Sequence, residues 1–130
     1  MSHVLPVLKP LRLPRLWTAL WATAVLLVIV VCLIPPPPIP LPENSDKGEH
    51  FVAYFILAGS AVQLFRCGRP LLWVGVALVL MGIGIELAQG ALTSNRMADP
   101  MDAIANTVGV LVGMATALTP LRDLLLRWRG

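Results

Sequence analysis

Apolar residues run along this chain in four blocks, parted by short polar or proline-rich stretches, and the block lengths predict an all-α fold. Leu16 to Ile34 carries no charge and includes Val25, Leu26, Leu27, Val28, Ile29, Val30 and Val31. At 1.5 Å per residue it would span about 28 Å, close to one hydrocarbon core. Residues 35–42 hold six prolines and predict a stiff, extended linker. A second helix is predicted over 47–66, with Asp46 and Glu49 resembling a capping start and only Tyr54, Ser60 and Gln63 breaking the apolar run from Phe51 to Phe65. Arg66, Gly68, Arg69 and Pro70 read as a tight basic turn, and 71–92 as a third helix interrupted by Glu86 and Gln89. Thr93 to Asp99 is polar; Asp99 and Pro100 then supply an N-cap and a first-turn proline for a fourth helix over 100–118, which Pro120 ends or bends.

Composition turns this pattern into a membrane protein. The chain is 57% hydrophobic and 13% charged over 130 residues, so lipid is expected to cover part of its apolar surface. The expectation is a single integral membrane domain over 1–130, a polytopic four-transmembrane-helix bundle. A secretory signal peptide is the rival reading of the first run, since Lys9, Arg12 and Arg15 precede it. Prolines rather than small residues follow it, so cleavage is not expected. The formal charge of +3 is scattered, which argues against nucleic acid. Cys32 and Cys67 lack metal or redox spacing and read as packing residues. The leucines, cations and Trp128 of the tail suit a segment lying at headgroup level.

Lys and Arg are unevenly shared among the connecting segments: three precede the first helix, two lie in the second loop and three in the tail, against Lys47 alone and Arg96 alone in the other loops. The positive-inside rule therefore predicts a multi-pass protein of the cell inner or plasma membrane with both termini cytoplasmic. The proline linker and the Thr93 to Asp99 loop would face outward.

Within that topology the polar residues fall at one depth. His50 and Tyr54 lie about 5 and 10 Å in from Lys47, Asn106 about 9 Å in from Pro100 and Glu86 about 9 Å in from Leu92. Each helix carries them as one stripe: His50 with Tyr54; Gly82 with Glu86 and Gln89; Asp99 and Asp102 with Asn106, Gly109 and Gly113. Gly109 and Gly113 form a small-xxx-small pair that lets a neighbouring backbone approach. A carboxylate such as Glu86 is costly in lipid, so it needs Lys47, Arg96 or His50 as a partner, or a proton.

Each candidate has a plainer role. Asp46 and Asp99 suit helix caps, Asp102 can complement a helix dipole, and His50 with Tyr54 can anchor a membrane boundary. Glu86 can pair with Arg96 or Lys47 merely to fix the bundle, and those two cations can be solvated loop charges or bind phosphate. His50, Glu86, Asp99 and Asp102 could hold a divalent cation, but no ligand spacing such as HExxH supports it, so no metal and no cofactor are expected.

Asp46, Lys47, His50, Phe51 and Tyr54; Glu86 with Gln89; and Arg96, Asp99, Asp102, Asn106, Gly109 and Gly113 together look like the signature of the VanZ-like family of small bacterial membrane proteins, over about Asp46 to Gly113. The family's founding member is associated with low-level teicoplanin resistance. The resemblance implies a cell-envelope protein whose outer polar site, built from Lys47, His50, Tyr54, Glu86, Gln89, Arg96, Asp99, Asp102 and Asn106, binds a lipid-linked precursor headgroup or an amphiphilic glycopeptide antibiotic. A second expectation is a membrane-embedded enzyme acting on a lipid headgroup, with Glu86, His50 or Asp102 as catalytic candidates. A third is a structural envelope subunit whose polar residues only lock the helices. A transporter would need oligomerisation to complete a path, and a homo-oligomer is compatible with the sequence.

Overall fold

The computed structural model describes residues 7–33, 45–92 and 100–128, without the side chains of 45–47, 89, 90, 92 and 100. The proline linker at 35–42 and the Thr93 to Asp99 loop lie outside the described residues. The chain forms α1 (Pro14–Leu33), α2 (Ser45–Leu64), α3 (Arg69–Leu92) and α4 (Pro100–Ala115), then α5 (Leu124–Trp128). The first three begin two residues before their predicted starts, because Pro14, Ser45 and Arg69 are compatible with a first helical turn. The fourth run changes register: Thr116–Leu118 tightens into a 3₁₀ turn, Thr119 turns extended, and its hydroxyl caps a second 3₁₀ turn at Pro120–Asp123 by accepting from the Leu121 amide.

α2 is the centre of the bundle. Tyr54, Leu57, Ala58, Ala61, Val62 and Leu64 are all buried, and α1, α3 and α4 pack around it. Its closest neighbour is α4. A methyl placed on Gly109 would lie 2.5 Å from the Phe51 carbonyl oxygen, and one on Gly113 2.8 Å from that of Phe55, so the two backbones touch where neither glycine has a side chain. α1 packs more loosely. It has no buried residue, although it is apolar on every face; its Trp21 indole donates to the Leu57 carbonyl at 2.9 Å and meets the Phe65 ring edge-on. An apolar helix left this open, together with exposed Leu72, Trp73, Leu80, Leu87 and Leu111, is suited to lipid rather than water.

Among the described residues, three segments are long and apolar enough to cross a bilayer: Pro14–Leu33, Arg69–Ala88 and Met101–Leu118. α2 is not among them. Its first turns carry Asp46, Lys47, Glu49 and His50, which lower its mean hydropathy, and its neighbours cover much of its surface, so it is less constrained to be apolar.

At one end of the bundle, the segment before α1, the α2–α3 turn and the tail are tied together. Leu8 bridges Phe65 in antiparallel fashion, the Lys9 amide donates to Leu64 and the Arg66 amide to Val7, both at 2.9 Å. Lys9, only 5% exposed, donates through Nζ to the Arg122 carbonyl and pairs with Asp123 at 2.9 Å. Gln63 donates to the Leu121 carbonyl at 2.7 Å and accepts from the Leu125 amide at 2.9 Å. The tail is thus docked on the bundle by specific bonds. Gly68 makes the turn beneath it at φ 105°, a backbone conformation that favours glycine.

Candidate functional site

At the opposite end, α2, α3 and α4 each bring polar side chains to one place. His50 stands in the second turn of α2, Glu86 in the second half of α3, and Asp102 and Asn106 one turn apart at the start of α4; all four are buried. A ring nitrogen of His50, a carboxylate oxygen of Glu86 and one of Asp102 lie within 4.8 Å of one another. His50 Nδ1 and Asn106 Oδ1 are 3.0 Å apart. An amide oxygen only accepts, so Nδ1 is the donor in this contact.

Helix packing explains how Asn106 reaches this position. Gly82 of α3 faces it: a methyl there would lie 3.1 Å from Asn106 Cβ and 3.2 Å from Nδ2, so the bare glycine leaves the room the amide occupies. One turn below His50, Tyr54 is 1% exposed, and its hydroxyl makes no hydrogen bond among the described residues. Glu86 and Cys32 are close enough to act on it electrostatically. Tyr54 shares with His50 the lining of one groove.

His50 also belongs to a groove between α1 and α2. Leu27, Val28 and Val31 form its apolar wall, and Cys32, Glu49, His50 and Tyr54 its polar side, around a volume of about 240 Å³. The same imidazole thus serves a buried carboxylate cluster and an open, mostly apolar channel.

Of the residues read from the sequence as a site, the structure brings together His50, Tyr54, Glu86, Asp102 and Asn106. Lys47 and Gln89 belong to α2 and α3, but their side chains lie outside the description, as do Arg96 and Asp99 entirely. Sequence reasoning missed Cys32 and Glu49. Glu49 is one residue from His50, and periodicity alone points it to a different face; Cys32 comes from a helix whose uniform apolarity marks no face.

The described residues define a helical membrane protein with three candidate spanning helices among them and a buried histidine–carboxylate cluster. Compared with protein-family models, curated proteins and solved structures, the chain matches none of them.

Proposed function

We propose that this chain crosses the bilayer four times and binds the polar head of an amphiphilic envelope molecule at its outward-facing end, as a VanZ-like protein of the cell envelope. The observation carrying the reading is the α1–α2 groove, which offers an acyl-sized apolar wall at Leu27, Val28 and Val31 and polar groups at Glu49, His50 and Tyr54. A lipid-linked precursor or a glycopeptide bearing a fatty chain has both parts.

The docked end of the bundle supports the fourth crossing. The segment before α1, the α2–α3 turn and the tail meet there, so the chain returns to the same side after α4. An even number of crossings accounts for this, and α2 is the helix that completes the count. The cations in these three segments support a cytoplasmic setting for that end and an outer-leaflet setting for the cluster.

The test is teicoplanin susceptibility in a sensitive Gram-positive host expressing wild type, Glu86→Gln or Ala53→Trp, which fills the groove, with membrane abundance measured in parallel. Wild type is expected to protect, and equally abundant variants to lose protection. No protection by wild type, or full protection by both variants, would overturn the reading; loss of abundance instead of protection would make the cluster a structural lock.

A second reading is favoured by one observation: an imidazole beside two buried carboxyl groups is a set capable of general acid–base chemistry on a lipid headgroup. It predicts a change in lipid or cell-wall precursor masses on expression, abolished by Glu86→Gln.

A further inference from the structure

We infer that His50, Glu86 and Asp102 form a binding site for a divalent transition-metal ion of the zinc or manganese class, with Asn106 positioning the histidine. The inference is independent of what the α1–α2 groove holds.

Three observations carry it. The first is the ligand set: an imidazole nitrogen and two carboxylate oxygens from three different helices lie within 4.8 Å of one another, all buried. Ligands on an ion at about 2.1 Å lie about 3 to 3.5 Å apart, so closing the site needs small side-chain movements rather than a rearranged backbone. One nitrogen and two oxygens suit Zn²⁺ or Mn²⁺ and are less suited to the soft ions that select thiolates.

The second is the tautomer of His50. A metal-bound histidine characteristically donates its other ring N–H to a carbonyl or carboxylate, which fixes the ring and strengthens the ligand nitrogen. Nδ1 of His50 donates to Asn106 Oδ1 at 3.0 Å, so the nitrogen that would bind an ion is Nε2. Gly82 leaves the room that the Asn106 amide occupies. A histidine acting only as a boundary anchor would not require this arrangement.

The third is Tyr54. Its hydroxyl is buried at 1% residue exposure, has no hydrogen-bond partner among the described residues, and lies within electrostatic reach of Glu86. An inner-shell water on a bound ion would give that hydroxyl a hydrogen-bond partner, the water donating to the phenol oxygen. A divalent cation at this point would interact favourably with both carboxylates at once.

The experiment uses the full chain purified in detergent, stripped with a chelator and carrying Cys67→Ser, so that the exposed thiol cannot hold zinc adventitiously. Zn²⁺ and Mn²⁺ are titrated by calorimetry, and bound metal is counted after gel filtration. One ion per chain is expected. Glu86→Gln with Asp102→Asn should abolish binding, Asn106→Ala should weaken it about 10- to 100-fold, and Asn106→Asp should restore much of it. X-ray absorption of the zinc-loaded chain supplies a readout that needs no ligand variant: one nitrogen among oxygen ligands and no sulfur near 2.3 Å. No uptake by the stripped chain overturns the proposal, as would occupancy unchanged in the double variant, or a sulfur-dominated zinc spectrum.

Discussion

Asn106 accepts a hydrogen bond from His50 across the α2–α4 interface, Nδ1 to Oδ1 at 3.0 Å. Both residues are buried, so removing one partner leaves a polar group of the other unsatisfied. Asn106→Ala is expected to destabilise the detergent-solubilised chain by about 1–3 kcal/mol, measured by thermal unfolding. Asn106→Asp keeps an acceptor facing Nδ1 and should cost less. Equal losses in the two variants would mean that shape rather than the hydrogen bond holds the contact.

The α2–α4 seam makes a matched comparison possible. A methyl on Gly109 would collide with the Phe51 carbonyl oxygen at 2.5 Å, whereas one on Gly84, in α3, meets nothing within 4 Å. Gly109→Ala should force the two helices apart and cost about 1–3 kcal/mol, while Gly84→Ala should be neutral or slightly stabilising through helix propensity. Thermal unfolding and membrane abundance of the pair check both signs.

These two contacts also show what periodicity can reveal. The stripe of Asn106, Gly109 and Gly113 is visible from spacing alone because the 3.6-residue repeat puts all three on one face. The structure places that face against α2, with the polar end meeting His50. The docked end of the bundle was not legible in the same way. Lys9 reads as one more flanking cation, yet it is buried against Arg122 and Asp123, 113 residues away from the former in sequence. No local repeat records a contact that depends on the tail turning back at Thr119. The polar beginning of α2 marks a different case: the helix is expected from the sequence as a crossing, yet it is not among the segments long and apolar enough to span a bilayer, and it is the helix the others surround.

The Lys9–Asp123 pair should make tail docking acid-sensitive. The Lys9 ammonium, which hydrogen-bonds the carboxyl, and the nearby charges of Arg122 and Arg127 hold Asp123 below the usual carboxylate range. A group whose value is depressed on folding contributes stability above its unfolded value, about 3.9, and loses it as the pH falls through the folded one. The stability difference between wild type and Asp123→Asn should therefore be constant from neutral pH down to about 4 and shrink below it. A difference that shrinks instead between pH 8 and 6 would assign the effect to another group.

Cys67 provides a native reporter of orientation. It is exposed in the turn between α2 and α3, beside Phe65 and Arg66, which bond to the segment before α1. If that end of the bundle faces the cytoplasm, a membrane-impermeant maleimide should leave Cys67 unmodified in intact cells and modify it once the membrane is opened, in a Cys32→Ser background. A cysteine placed at Gly48, an exposed position near the start of α2, should behave oppositely in a chain lacking both native thiols, because α2 is proposed to separate the two sites by the full bilayer. Labelling of both positions from outside would mean that α2 does not cross and would remove the fourth crossing. Labelling of Cys67 alone would keep the crossing and invert the protein, moving the His50, Glu86 and Asp102 cluster to the cytoplasmic leaflet.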